Sequence, residues 1–509
     1  MNLKKTFKNS FSSILNNCIG IMAGLIAQTF FIKILGSEFL GLSSLFSNVV
    51  SMLGIVELGL GSAIIYNLYK PMAEKDIESL KSLTKFYKST YNVIVLIIII
   101  ISIIIVPFLK YLISDMTISV NIYIVYFLFI LDVVCSYVLC YKRSLLYAEQ
   151  NNYIINYTHI LYVIILNVLR IMVLYITRNY YIYLIIKIIM TLVENLVLSS
   201  IVDRKYAFIK DKNIIPLDKK SKNEIFFKIK SLFFYKIGSF IVSSTDNIII
   251  SRYLGLTVVG LYSNYYLIIN SLNTLISQAI TAVTSNVGRL LIENNFNKNF
   301  SVFKKIRFIN FWLATFTATC LYVIMDSFVI IWLGREFLLS ELTLIVLVIN
   351  YFQSIMRSTF STFKEAAGIY EKDRFIPILQ ALTNVIASII FVKLIGLPGI
   401  FIGTIISELY WWLYSYPVLI YKNLFNKKYS SYFLETLGYL LCFLIILFLT
   451  KFISNQFITN LEVIKFITNV LISIIVPNVL LILMFMKNSN FKYFLEMIKK
   501  IINKLFVRS

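Results

Sequence analysis

The sequence predicts an all-α polytopic membrane protein with about 14 transmembrane helices, arranged as two related halves followed by two further spans. Of its 509 residues, 59% are hydrophobic and 14% are charged, and the mean hydropathy is +0.81. Apolar runs of about 20 residues recur along the chain, the length that a helix needs to cross a bilayer core about 30 Å thick. A soluble domain is far less apolar, and a β-barrel would show short alternating segments.

Lysine and arginine follow the order of the predicted spans. If the N-terminus is cytoplasmic, the inner connections and the two termini hold 36 of the 48 basic residues. This imbalance is typical of the positive-inside rule and predicts that both termini are cytoplasmic. A cleaved signal peptide is not favoured, because the first apolar run has no A-x-A-like site and leads directly into another span. The net charge of +23 therefore reflects topology, and no nucleic-acid partner is expected.

A short motif occurs twice, 219 residues apart. Residues Leu35 to Leu42 read LGSEFLGL, and residues Leu254 to Leu261 read LGLTVVGL. The same offset aligns Lys33 with Arg252. Both copies join two long apolar segments near the start of each half. Such a pattern is typical of transporters that are built from internal repeats.

The repeat and the spans divide the chain into lobes and connections. The second span is predicted over residues 39 to 68, and the ninth over 307 to 333. The tail from Lys487 has apolar residues on one side and lysines on the other, which predicts an interfacial helix that could meet lipid phosphates. The predicted parts are an N-lobe of six helices (1–203), a basic cytoplasmic linker (204–230), a C-lobe of six helices (231–422), and a C-terminal helix pair with a basic tail (423–509).

Polar or small residues recur at steps of three and four on the first, second, seventh and eighth predicted spans. Tight helix packing through small residues would explain serine and glycine alone. Glutamine and ionisable residues are too costly for a plain packing seam and favour a water-filled cavity between the two halves. The polar residues predicted to line this cavity are Asn17, Gln28, Ser47, Ser51, Ser243, Asp246, Asn247 and Gln278.

Several ionisable residues fall inside predicted spans. A charge at the bilayer centre costs about 2.5 to 3.5 kcal/mol on insertion scales, so such residues usually form pairs or line a route. Snorkelling to the interface is the alternative for Lys187 and Lys236, which lie near helix ends. Asp132, Glu194 and Asp246 are interpreted as counter-charges, with cation coupling as the alternative. The cations predicted to contact a substrate are Lys236, Arg357, Arg170, Lys187, Lys33 and Arg252.

The sequence lacks the motifs of common catalytic sites. There is no GxxxxGK[ST] phosphate loop, HExxH or GxSxG, and the five cysteines and the single histidine have no metal-ligand spacing. We therefore expect no enzyme activity, no metal and no cofactor. Without a nucleotide-hydrolysing motor, any transport would be driven by gradients or by removal of the product.

The stretch from Leu35 to Pro71, followed by Lys75 and Asp76, carries a resemblance. It resembles the N-terminal signature of bacterial polysaccharide repeat-unit flippases, the Wzx-like branch of the multidrug/oligosaccharidyl-lipid/polysaccharide (MOP) exporter superfamily. The resemblance implies a MATE-like fold of two pseudo-symmetric six-helix bundles plus two C-terminal helices. It also implies a V-shaped pair of lobes, a cationic central cavity lined by helices one, two, seven and eight, and alternating access.

The resemblance further implies a substrate and a location. The expected substrate is a polyprenyl diphosphate that carries an oligosaccharide repeat unit, moved across the bacterial cytoplasmic membrane for capsule, O-antigen or exopolysaccharide assembly. Membrane lipids, a polysaccharide polymerase and glycosyltransferases are the expected partners. The alternatives are a lipid II flippase for peptidoglycan, a cation-coupled multidrug exporter of the same superfamily, and a non-transporting membrane scaffold.

Overall fold

The computed structural model of the protein is helical in every regular element of the part that it describes, which confirms the predicted all-α class. It forms two compact units, Met1–Ser263 and Asn264–Ser509. The residues described are 3–57, 60–114, 116–211, 215–218, 222–223, 225, 242, 244–281, 284–293, 295–369, 372–457 and 461–506.

Helices of the first unit begin at side-chain caps that the sequence supplies. Asp76 accepts a hydrogen bond from the Ser79 amide at 3.0 Å, and Asn121 and Asn179 accept bonds from the first turns that follow them. The described helices are α1 (Leu3–Leu35), α2 (Ser37–Leu53), α3 (Leu60–Glu74), α4 (Ile77–Ile105), α5 (Leu109–Leu112), α6 (Ile122–Tyr137), α7 (Arg143–Ala148), α8 (Asn152–Thr177), α9 (Tyr180–Lys205), α10 (244–254) and α11 (Leu256–Thr281), which runs on into the second unit.

The predicted second span, 39 to 68, is wrong as a single helix. α2 ends at Leu53, and a 3-10 turn follows at Gly54–Glu57 before α3 begins. The sequence through this break, GIVELGLG, is rich in glycine, which weakens a helix interior. Glu57 at the turn accepts a hydrogen bond from the Tyr91 hydroxyl at 3.1 Å, so the break places a carboxylate beside α4.

The repeated motif forms a close helix crossing within the first unit. A Cβ added at Gly41 of α2 would lie 1.8 Å from the Leu256 carbonyl oxygen of α11. A Cβ added at Gly260 of α11 would lie 2.0 Å from the Ser37 carbonyl oxygen of α2. Only glycine permits this approach of the two backbones.

Equivalent residues of the two copies at this crossing are 219 positions apart in the sequence. Gly36 and Gly255, which precede the two helices, have φ values of 92° and 88°, a region that favours glycine. The Ser263 hydroxyl donates to the Ser44 hydroxyl at 2.7 Å, and these two serines are also 219 residues apart. The repeat read from the sequence is thus a local two-fold arrangement in space.

In the second unit, α13 begins earlier than the ninth predicted span. α13 begins at Phe296, where Asn295 accepts a hydrogen bond from the Lys298 amide at 3.0 Å. The helix therefore begins about three turns before the predicted span, which starts at 307. The remaining helices are α12 (Thr284–Ile292), α13 (Phe296–Trp332), α14 (Glu341–Ala367), α15 (Ile376–Ile395), α16 (Leu397–Tyr410), which continues as a π-helix (Trp411–Leu424), α17 (Tyr429–Gln456), α18 (Glu462–Phe485) and α19 (Ser489–Phe506).

Ten helices in the described part are long and apolar enough to cross a membrane. On α4 the face with Leu96 and Ile103 is exposed, whereas Ile94 and Ile98 are buried. A helix that exposes isoleucine and leucine on one face and buries them on the other suits contact with lipid on one side and protein on the other.

Candidate functional site

α9 organises a network of polar side chains in the first unit. Lys187, Thr191 and Glu194 lie at steps of four and three, so they share one face of the helix. Lys187 Nζ lies 2.9 Å from the Asp132 carboxylate of α6, and the Thr191 hydroxyl donates to that carboxylate at 2.8 Å. The predicted cation Lys187 is thus neutralised by Asp132.

Glu194 has different partners from those expected. Its carboxylate lies 3.0 Å from His159 Nδ1 on α8 and 3.7 Å from Arg143 on α7. Arg143 also donates to the Asn195 side chain at 2.5 Å. His159 stacks on Tyr162 with ring centroids 5.3 Å apart. The single histidine of the chain therefore belongs to this network.

Arg170 has an aromatic neighbour in place of an acid. Its guanidinium lies 4.0 Å from the centroid of the Tyr183 ring. It forms no ion pair among the described residues, and its buried Nε has no hydrogen-bond partner there. Lys33 and Arg252, aligned by the repeat, are exposed, and neither forms an ion pair within the described ranges. No carboxylate of the described part therefore neutralises the charges of these three cations.

A cluster in the second unit surrounds the Trp411 ring. Arg357 of α14 lies 3.4 Å from the Glu408 carboxylate, and its guanidinium is 4.7 Å from the Trp411 ring centroid. Trp411 Nε1 donates to the Gln380 side chain at 2.6 Å, which fixes the plane of the ring. Arg357, a predicted substrate cation, is therefore held by Glu408 and by an aromatic face.

Lys364 extends the same cluster by two turns of α14. It forms a buried ion pair with Asp373, and its Nζ lies 4.7 Å from the Trp411 ring centroid. The Ser415 hydroxyl also donates to the Asp373 carboxylate, at 2.6 Å. Lys364 and Asp373 are not among the predicted site residues, although Lys364 lies seven residues from Arg357 and hence on the same face.

Arg307 is among the largest side chains that are fully buried. It donates to Glu435 at 3.1 Å, to the Tyr421 hydroxyl at 2.5 Å and to Thr436 at 2.7 Å. Its guanidinium lies within about 5 to 6 Å of four aromatic rings, including Tyr439 at 5.1 Å. The ninth predicted span begins at Arg307, whereas the structure encloses this residue within α13.

The remaining predicted site residues are exposed, half-buried or buried, or lie outside the described part. Ser47, Ser51 and Gln278 are exposed, and Asn17 and Gln28 are half-buried. Asp246 and Asn247 of α10 each have a buried side-chain oxygen with no hydrogen-bond partner in the part that the structure describes. Lys236 and Ser243 lie outside the described residues, as does most of the predicted linker.

The sequence matches the family described as "Polysaccharide biosynthesis protein" over residues 6–284. The chain belongs to this family. The matched range contains the repeated motif, the first unit from residue 6 onward and its polar network. No curated protein sequence matches the chain.

Solved structures of three transporters share the fold. The lipid II flippase MurJ in an inward closed conformation aligns with a TM-score of 0.65 at 16% identity, over 94% of this chain and 99% of that one. An inward-facing multidrug resistance MATE family transporter of the MOP superfamily aligns at 0.61 and 17%, over 77% and 91%. The Vibrio cholerae MATE transporter VcmN aligns at 0.58 and 14%, over 83% and 98%. With the family match, they confirm the resemblance to the MOP exporters.

Proposed function

We propose that this protein flips a polyprenyl-diphosphate-linked oligosaccharide from the inner to the outer leaflet of the bacterial cytoplasmic membrane, by alternating access. The observation that carries the proposal is membership of the polysaccharide biosynthesis family over residues 6–284. The exported repeat unit would serve assembly of a capsule, an O-antigen or an exopolysaccharide. A polysaccharide polymerase and glycosyltransferases are the protein partners that belong to this proposal.

Unpaired cations in the first unit support a diphosphate substrate. A lipid diphosphate has about two negative charges that need arginine or lysine partners along its route. Arg170, Lys33 and Arg252 have no carboxylate partner among the described residues, whereas Lys187 and Arg357 do. We therefore rank Arg170 above Arg357 as a contact for the diphosphate.

The membrane potential provides a driving force that needs no coupled ion. Moving an anion outward through an inside-negative potential is favourable by about 2.3 kcal/mol per charge per 100 mV. This agrees with the absence of a nucleotide-binding loop from the sequence.

Lipid II is the second candidate substrate. The structure named as a lipid II flippase aligns over 94% of this chain, whereas the MATE transporter covers 77%. The greater coverage supports a lipid-linked substrate over the soluble drugs of a multidrug exporter. We also propose two lobes, 1–203 and 231–422, joined by a cytoplasmic linker, 204–230.

Complementation tests the substrate directly. The gene would be expressed in one bacterial strain that lacks its repeat-unit flippase and in another that lacks its lipid II flippase. We expect restored surface polysaccharide in the first strain and no rescue of growth in the second. Rescue of growth alone would replace the proposed substrate with the peptidoglycan precursor, and rescue of neither at normal membrane levels would contradict a flippase of lipid-linked sugars.

Orientation needs a separate measurement. We propose that both termini and the linker are cytoplasmic, because basic residues concentrate there. A reporter fused after Lys212 should be active only inside the cell. Activity only on the outer side would overturn this orientation.

A further inference from the structure

The C-terminal helix α19 covers a cavity in the second unit that the proposed function does not use. The cavity has a volume of about 450 Å³ and lies between α19 and the helices α11, α12 and α13. This volume falls within the roughly 300 to 1,000 Å³ of pockets that hold small molecules. Its wall is mainly apolar, formed by Ile280, Leu290, Ile306, Ile309, Leu313 and Met497.

Aromatic contacts hold α19 in place at one side of this cavity. The ring of Phe491 stacks on Trp312 of α13, with centroids 5.4 Å apart and planes 9° apart. Phe494 meets the same tryptophan at 5.4 Å. On the outer face of α19, Lys492 and Lys499 are exposed. An amphipathic helix with this distribution lies in the interface of a membrane, where phosphates of anionic lipids are within reach of its lysines.

Lys305 provides a cation among the residues that line the cavity. Its Nζ lies 4.4 Å from the centroid of the Tyr493 ring of α19. It forms no ion pair with any carboxylate in the described part of the chain. A lysine can pack its carbon chain on an apolar wall and present its ammonium group at the interface. The ligand of this site should therefore combine a long apolar part with an anionic group.

We propose that the cavity binds one acyl chain of an anionic phospholipid, with the lipid phosphate on Lys305. Phospholipids of the surrounding leaflet combine these two parts, a long acyl chain and an anionic phosphate. The site would anchor α19 to α13 through a bound lipid. It is separate from the diphosphate contacts proposed above, because none of the cations named there lines the cavity.

Native mass spectrometry of the purified protein tests the proposal. After delipidation, the protein would be titrated with phosphatidylglycerol or with phosphatidylcholine of the same acyl chains. Wild type should retain phosphatidylglycerol more strongly. Lys305→Met should reduce that retention by roughly tenfold, the size of one charge-assisted contact to phosphate. Retention of phosphatidylcholine should change little.

Two further variants complete the test. Lys304→Met is the matched control, because this neighbouring lysine lies over the Phe300 ring and does not line the cavity. Leu313→Trp should fill the cavity and reduce retention of both lipids, and Ile309→Phe replaces it if that protein is not monodisperse. Equal losses in Lys304→Met and Lys305→Met would overturn the proposal, as would equal retention of the two lipids by wild type. Displacement of phosphatidylglycerol by an equimolar polyprenyl phosphate would also overturn it.

Discussion

In the first unit, the side chains of Lys187 and Asp132 keep 33% and 13% of their surface exposed, whereas in the second unit those of Lys364 and Asp373 keep 2% and 0%. The first pair joins α9 to α6, whereas the second joins Lys364 of α14 to Asp373 in the turn before α15. The first pair lies beside the hydroxyl of Thr191, and the second lies against the Trp411 ring. The comparison separates charges that remain accessible from charges that are enclosed by aromatic rings.

Enclosure changes what a charge can do. A buried ion pair loses its hydration, and the attraction within the pair has to offset that loss. Such a pair is expensive to break, because removal of one partner leaves an uncompensated buried charge. An accessible cation such as Arg170 can instead exchange its neighbours for a passing phosphate. We therefore expect mutations of enclosed charges such as Lys364 and Asp373 to lower stability. Mutations of accessible cations such as Arg170 should slow transport.

The largest effect is expected at Arg307. Arg307→Ala would remove hydrogen bonds to Tyr421, Glu435 and Thr436 and leave a cavity among aromatic rings. The free energy of unfolding should fall by about 3 to 5 kcal/mol, the usual cost of truncating a large buried side chain. Thermal unfolding in detergent would measure it.

Arg335→Ala is the matched control for this variant. The Arg335 side chain is 76% exposed and pairs with Glu462, so its loss should cost only about 0 to 1 kcal/mol. Equal melting temperatures for the two variants would show that enclosure of Arg307 contributes no more than a surface pair.

Asp373→Asn should produce the next largest loss. Lys364 would keep its charge inside the protein without a counter-charge, which costs about 3 kcal/mol at the lower end of values for broken buried pairs. The double variant Lys364→Met with Asp373→Leu should recover most of this stability, because no buried charge is left. A double variant as unstable as Asp373→Asn would mean that packing around the Trp411 ring, and not charge, dominates.

The backbone plan could be predicted from the sequence more fully than the charge partners. The Leu35 to Leu42 motif and its copy fix glycines at a crossing, because the absence of a side chain is a property of each residue alone. Which acid meets which base depends on how each helix is rotated. Asp132 does pair with Lys187, but Glu194 meets His159 and Arg143, which no spacing in the sequence could indicate.

Arg307 shows why a boundary error hides a residue. The segment from Phe296 to Arg307 is polar enough to resemble a connection, so the predicted span begins only at Arg307. Phe300 and Phe303 lie on one side of the same segment and pack against the aromatic cluster around Tyr421. Their helical spacing was the available signal that α13 starts earlier.

Arg170 is the accessible cation for which we predict an effect on transport. If Arg170 contacts the diphosphate, Arg170→Ala should remove about 1 to 3 kcal/mol of charge-assisted contact and slow flipping roughly tenfold or more. Arg170→Lys should keep part of the activity, because charge survives and the bidentate geometry does not. Surface polysaccharide in the complemented strain, at equal membrane levels of protein, is the measurement.

Arg204→Ala is the control for Arg170, since Arg204 is an exposed arginine at the end of α9. It should leave surface polysaccharide unchanged. Normal polysaccharide from Arg170→Ala would remove Arg170 from the substrate route, and loss of that protein from the membrane would indicate that its contact with Tyr183 is structural.

The smallest effect on stability is expected at Glu149, the residue that follows α7. Burial acts to raise the pKa of this carboxyl, but Lys205 at 2.8 Å and the Tyr206 hydroxyl outweigh it, so the pKa lies below its usual value of 4.5. The unfolded chain then binds the proton more readily, so this carboxylate stabilises the fold above about pH 4.5 and loses that effect as the pH falls through the lowered pKa.

Glu149→Gln should lower the free energy of unfolding by about 0.2 to 1 kcal/mol at pH 7 and by less in acid. Glu293→Gln, in an exposed pair with Lys298, is the control. A difference between wild type and Glu149→Gln that grows on acidification would show that the pair does not favour the charged carboxylate.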